Sequence, residues 1–308
     1  MRYCIGSMCA MPLTFLVARV LRRVACVALL VGSAALVGCG DSATPGAAPE
    51  VAGPARIASL SPAITECVSE LGLADRIVGR TPWCEIAESV VPVVGTLLDV
   101  DAEALVRCAP TMVLVQPPAQ GIDPALSALA ASHGWAIHSW QINGLDDARA
   151  AMEGLANAVA EADPASADSV HARHADWRAR LDASLAPLPA PPEGARVGPV
   201  LVMVGGIEGM AFGRGTYIGD ALDRMGVQNA VERPGYPVLS AEDVVRIGPN
   251  AIVVIGGAER GSLPEAASFA ARVVRVPAQG LAVPGGRLPH GLQALREALT
   301  ALRDPSGE

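Results

Sequence analysis

The sequence predicts an α/β protein: two Rossmann-like α/β lobes with mostly parallel sheets, joined by one long helix. Three observations predict it. Short apolar runs such as residues 111–115 and Ala251–Ile255 are continuous rather than alternating, as in strands covered on both faces. Helical stretches separate them, several opened by Pro and closed by Gly. The pattern then restarts in the second half and echoes the first. Residues 101–115 lie over residues 240–254 without a gap, six of fifteen positions being identical, and the matches include Glu103 with Glu242 and Arg107 with Arg246.

The first lobe is expected over residues 55–162. It opens with a buried strand in Arg56-Ile57-Ala58-Ser59-Leu60-Ser61, followed by a helix from Pro62 to about Leu71, closed by Gly72. Strands follow at 77–79 and 91–95, a short helix at Ala102–Cys108 and a strand at 111–115. A helix at Pro124–His133 and a strand at 136–140 complete the set. Residues 163–190 form the connecting piece. Asp163 is placed to cap a helix over 164–185, whose Val170, Trp177, Leu181 and Leu185 mark one apolar stripe. Twenty-two residues of helix would reach roughly 33 Å. Pro187, Pro189, Pro191 and Pro192 stiffen its exit. The second lobe, 195–304, begins with strand Val200–Val204. Helices at 217–225 and Ala241–Ile247, strand Ala251–Ile255, a helix near 264–272, a strand at 273–276 and a last helix from about Gly291 follow.

The N-terminus changes how the rest is read. Residues 1–39 hold no acid, and Arg19, Arg22 and Arg23 precede an apolar run over 24–37. That order is the order of a secretory signal, and the run is short for a membrane span. Leu36-Val37-Gly38-Cys39 resembles a bacterial lipobox, which makes Cys39 the acylated residue of an exported, membrane-anchored lipoprotein on the periplasmic or cell-surface side. An uncleaved N-terminal anchor is the competing reading. Residues 40–54, rich in Ala, Pro, Gly and Ser, read as a flexible tether. Without the four leader arginines the chain carries 19 basic against 31 acidic residues, a formal −12, with no Lys. That balance excludes nucleic acid as a partner. Beyond the tether, Cys67, Cys84 and Cys108 fit either one disulfide with a free thiol or three buried small apolar side chains.

Residues 56–66, residues 71–79, Val94-Gly95 and residues 102–115 resemble the cobalamin- and siderophore-binding proteins of bacterial ABC importers. Tyr217-Ile218-Gly219-Asp220-Ala221-Leu222 and residues 240–254 fit the same pattern. The likeness covers about residues 55–303. It implies capture of a bulky metal chelate in a cleft between the lobes, cobalamin first, then ferric siderophore or haem, and delivery to the permease. Members dock through one acidic residue per lobe, which the resemblance places at Glu103 and Glu242. Each also stands in a first helical turn, where the macrodipole alone favours a carboxylate. Trp83 and Tyr236 match aromatic cleft positions, and Pro62, Ala63, Met210, Phe212 and Arg214 join them as implied ligand contacts. Other positions that are aromatic in cobalamin-binding members are Leu97 and Val204 here, whereas Arg214 suits an anionic siderophore or a propionate.

An enzyme is the first competing class. No Gly-x-Ser-x-Gly elbow or His-Glu-x-x-His occurs, a chain without Lys has no phosphate-loop motif, and Gly213–Gly219 has the wrong spacing for a dinucleotide turn. No catalytic residue, cofactor or structural metal is expected. A carrier of bare zinc or manganese is the second, through His171 and His174 on the connecting helix, although a pair lacks a third ligand. His133, His138 and His290 are scattered. A surface sensor or scaffold without transport is the third.

Overall fold

The computed structural model describes residues 53–86, 90–190, 198–205, 209–256 and 272–303. The leader, Cys39, nearly all of the tether, Pro191, Pro192 and residues 264–271 of the helix expected near 264–272 lie outside the described residues, and Arg272 opens a strand.

Two separate parallel sheets form. The first contains β1 (Ile57–Ser59), β2 (Ile77–Arg80), β3 (Met112–Val115) and β4 (Ala136–Ser139), in the order β2-β1-β3-β4. The second contains β5 (Val200–Val204), β6 (Ala251–Ile255) and β7 (Arg272–Val276), in that order, with Val202 opposite Val253 and Val253 opposite Val274. β3 and β6 are buried along their whole lengths, which is why their residues read as unbroken apolar runs. The strand expected over 91–95 does not form. Isolated bridges of Val93 with Arg80 and of Gly95 with Val100 stand there instead, and Pro92 has no N–H to extend the ladder.

Local chemistry sets the helix ends. α1 (Pro62–Glu70) starts at Ser61, whose side chain accepts from the Ile64 N–H, with Pro62 in the first turn. α3 (Pro124–His133) repeats this with Asp123 and Pro124 and stops at Gly134, in the left-handed conformation. The internal echo is structural as well. α2 (Ala102–Cys108) and α7 (Ala241–Ile247) are each seven residues, capped by Asp101 and Ser240. Each ends on a left-handed residue, Ala109 at φ 43° and Gly248 at φ 60°. An alanine there carries a steric cost that the glycine avoids.

The connection between the sheets differs from expectation. Asp163 makes no side-chain cap, and Pro164–Ser166 form a 3-10 turn. The connecting helix α5 therefore runs over Ala167–Ser184, 18 residues or about 27 Å. An additional 18-residue helix, α4 (Leu145–Ala162), precedes it and packs against it. The Asp147 carboxylate accepts from the N–H groups of Asn143 and Gly144 at 3.0 and 3.1 Å and starts α4. α6 (Tyr217–Arg224) and α8 (Leu288–Arg303) complete the set, α8 starting three residues earlier than expected.

The apolar stripe of α5 is buried: Val170, Trp177 and Leu181 are fully enclosed and Leu185 nearly so. They belong to one core that also contains Ile57 and Met112 of the first sheet, Val202 and Val253 of the second, and residues of α1, α4, α6 and α8. Two smaller cores cover the outer faces, one around Leu105 and Val113 under α2, the other around Leu201 and Val244 under α7. The sheets are distinct, yet the helices between them are common to both. Trp177 also donates its indole N–H to the Gly286 carbonyl at 2.8 Å, deep in the central core. Trp177→Ala is expected to lower stability by about 3–5 kcal/mol, read from urea unfolding, and a loss under 1 kcal/mol would contradict this placement.

Candidate ligand-binding site

The carboxyl ends of the strands in both sheets carry the candidate residues, the edge where α/β proteins bind ligands. In the first sheet β2 ends at Arg80 and the chain turns through Thr81-Pro82-Trp83-Cys84, with the Cys84 N–H bonded to the Thr81 carbonyl at 3.3 Å. Cys84 Sγ lies 3.0 Å from Thr65 Oγ1 and 3.1 Å from Thr81 Oγ1, and Thr65 Oγ1 lies 2.8 Å from Ser59 Oγ. This buried hydroxyl and thiol cluster pins both sides of the turn and leaves the Trp83 indole 66% exposed. An indole held outward on a fixed turn is a stacking surface. Pro62 and Ala63 start α1 beside the end of β1; Pro62 is partly exposed and Ala63 is buried.

In the second sheet, the chain after β5 bridges back at Met203–Ala211, Met210–Val238 and Arg214–Pro234. These bridges hold Tyr236, 43% exposed, edge-on to Phe212 with centroids 5.6 Å apart. Phe212 meets Tyr217 the same way at 5.5 Å. Phe212 itself is 1% exposed, which corrects its expected role: it buttresses Tyr236 from the core and offers no surface to a ligand. Met210 is partly exposed. Arg214 is exposed, and its nearest acid, Glu232, stands 3.7 Å away, a loose surface pair. Burial, helped by the charge of Asp220, pushes the Tyr236 phenol up, so it stays neutral at physiological pH.

The two candidate halves are tied together by contacts that sequence reading did not single out. Gly285 and Gly286 lie against α1, where a Cβ on Gly285 would stand 2.8 Å from the Ala63 carbonyl and one on Gly286 would overlap the Glu66 backbone. The next residue, Arg287, bonds Glu66 at 3.0 Å and Glu85 at 3.1 Å through its guanidinium, and its N–H reaches Glu66 Oε2 at 3.3 Å. Tyr217 donates its hydroxyl to the Leu281 carbonyl at 2.7 Å. At the start of α4, the Leu145 N–H bonds the Asp220 carboxylate at 3.0 Å, and Arg224 pairs with Asp146 at 2.7 Å. Only the Gly285-Gly286-Arg287 run hinted at this, since adjacent glycines before a charge mark a close backbone approach. A cavity of about 410 Å³ adjoins the ion pair, lined by Glu66, Glu70, Glu85 and Arg287 and by neither Trp83 nor Tyr236.

Glu103 and Glu242 occupy equivalent exposed places in the first turns of α2 and α7. Arg107 lies 3.5 Å from Glu103, whereas Arg246 turns to Asp243 at 2.7 Å. Cys67, Cys84 and Cys108 are all buried free thiols, so the disulfide alternative does not form. Among the described residues no three His, Cys, Asp or Glu side chains converge as a metal site. His171 is exposed on α5, and burial pulls the His174 imidazole down.

No family model matches the chain, and no curated protein does. Solved structures do. A periplasmic haem-binding protein, BhuT, in complex with two haems, is 26% identical with a TM-score of 0.61, over 82% of this chain and 100% of that one. The periplasmic haem-binding protein HutB of Vibrio cholerae is 20% identical with a TM-score of 0.62, over 80% and 98%. The periplasmic vitamin B12-binding protein BtuF of Vibrio cholerae is 19% identical with a TM-score of 0.59, over 81% and 97%. The last two likenesses concern the fold alone.

Glu66 supplies a pH test of the clamp. Desolvation outweighs Arg287 and holds its carboxyl above the usual glutamate range. The folded state then binds this proton more tightly than the unfolded one, so the associated stability is present at low pH and lost as pH rises through the folded value. Relative to the wild type, Glu66→Gln is expected to be more stable at pH 7 than at pH 4, by urea unfolding at both. An equal difference at the two pH values would show that Glu66 does not titrate this way.

Proposed function

We propose that this chain, a member of the periplasmic solute-binding proteins of cobalamin and iron-chelate ABC importers, captures a bulky metal chelate between Trp83 and Tyr236 and passes it to a membrane permease. The observation that carries the reading is the pair of outward aromatics, one on the strand-end edge of each sheet, each supported from behind. Two faces of this kind suit a flat macrocycle, which offers a π-surface to each. Arg214 chooses among such ligands. Its 3.7 Å pair with Glu232 is weak enough to exchange for a ligand carboxylate, and haem carries two propionates. Haem is therefore the leading ligand. Cobalamin is the second reading, favoured by the match of Trp83 and Tyr236 to aromatic positions of cobalamin-binding proteins.

Glu103 and Glu242 are read as the docking residues, one per lobe, facing arginines of the transmembrane subunits. Their equivalence through the internal repeat supports this, because a permease built from two like subunits presents its arginines in equivalent pairs. The lobes are read as 55–162 and 195–304, the first sheet lying over 57–139 and the second over 200–276. The core shared through α4 and α5 leaves room for small rocking and none for wide hinge closure. Lipidation of Cys39 would hold the assembly at the membrane; several acyl chains anchor stably where one would not.

Titrating the chain lacking its leader with haem, cobalamin and a ferric siderophore, by absorbance and tryptophan fluorescence, tests the capture reading. Haem is expected to bind most tightly, and Trp83→Ala or Tyr236→Ala to weaken it by about 2 kcal/mol, roughly thirtyfold in Kd. Saturable binding of none of the three would end the proposal. Glu103→Ala combined with Glu242→Ala is expected to leave that Kd unchanged while abolishing uptake in cells. Normal uptake by the double variant would remove the docking assignment.

A further inference from the structure

A second cavity lies at the other edge of the second sheet, where the strands begin. Its volume is about 160 Å³, and Gly198, Val200, Asn250, Arg272, Leu299 and Arg303 are among its walls. Val200, Ala251 and Arg272 are mutually paired first residues of β5, β6 and β7, so this is the edge opposite to Gly205 and the Tyr236 loop. A single water needs about 10–15 Å³ of such space, so the cavity admits a small polyatomic group.

Its charge is unusual for this molecule. Acids outnumber bases 31 to 23 in the whole chain, yet two guanidiniums line the cavity and neither has a carboxylate partner among the described residues. Arg272 bonds the Leu302 carbonyl at 3.1 Å, and Arg303 bonds the Pro189 and Gly226 carbonyls at 2.8 and 3.0 Å. Those bonds leave Arg303 Nε buried with no acceptor among the described residues. Burial also makes the charged form of Arg303 costlier than in water. The carbonyl end of α8 supplies about half a negative charge, which two full positive charges exceed. Among the described residues the cavity lining is therefore net positive, and Arg303, the more buried of the two arginines, is short of an acceptor.

We propose that this cavity binds a small oxyanion, a phosphate or carboxylate group, held by Arg272, Arg303 and the Asn250 amide, independently of chelate capture. Guanidinium forks match the paired oxygens of either group, and a neutral amide adds a donor without adding charge. Because the site is remote from Trp83 and Tyr236, filling it stabilises the second sheet and the end of α8 without touching the aromatic pair.

The test uses the full chain in mild detergent, with thermal unfolding followed in sodium phosphate, in sodium acetate and in sodium chloride at matched ionic strength. Phosphate, acetate or both are expected to raise the midpoint saturably, by about 3–6 °C over chloride; which one acts identifies the group. Arg272→Gln with Arg303→Gln is expected to remove the response. Since that variant also loses carbonyl partners, Asn250→Asp provides a second arm: an internal carboxylate beside the guanidiniums should raise the midpoint in chloride and abolish the phosphate or acetate effect. Haem affinity is expected to be the same in all variants, which separates this site from the capture reading. A midpoint no higher in either oxyanion than in chloride, or an Asn250→Asp chain that responds like the wild type, would overturn the proposal.

Discussion

The tightest link between the two sheets runs through the segment Gly285-Gly286-Arg287. Its two glycines allow backbone to lie on α1, its carbonyl receives the Trp177 indole, and its arginine reaches Glu66 and Glu85. One short stretch from the second half thus contacts the first sheet's leading helix, the connecting helix and the loop that carries Trp83. Removing one partner of such a half-buried ion pair is costly because the other charge stays behind. The clamp is also why the aromatic faces have a defined relation. Tyr236 rests on Phe212, Phe212 on Tyr217, and Tyr217 is bonded to Leu281, four residues before the clamp.

The same clamp bears on dynamics. α4 and α5 form a pair rather than a lone rod, and α1, α6 and α8 share their core. Close-packed interiors have few alternative arrangements, so motion falls to the exposed loops and not to separation of the sheets. α2 and α7 sit outside that core on their own smaller clusters, presenting Glu103 and Glu242 to solvent. Each is fixed by its cap and by a left-handed exit, which makes them rigid platforms.

Much of the fold was legible in the sequence because its signals are local. Buried parallel strands leave unbroken apolar runs, and β3, β5 and β6 fell where those runs lie. Proline after a capping residue marked α1 and α3. The strand expected over 91–95 failed on another local signal, Pro92, which the apolar run around it concealed. Asp163 was misplaced as a cap because Pro164 fits a 3-10 turn as readily as a first α-helical turn. Of the candidate site residues, Trp83 and Tyr236 were named through a resemblance, and both stand exposed. Phe212 came from the same segment yet faces inward, since which face of an irregular segment is buried depends on what packs beneath it.

What the sequence determined alone is the kind of chain this is: acidic, without Lys, with twice-repeated helix–strand units and the equivalence of Glu103 with Glu242. Those properties follow from composition, periodicity and spacing, which act over a few turns of backbone. The tertiary structure decided which side chains meet across long separations: Glu66 with Arg287, Trp177 with Gly286, Leu145 with Asp220, Arg272 with Arg303 around one cavity. No local rule carries that information, because such contacts are selected by how whole surfaces pack once the chain has closed on itself.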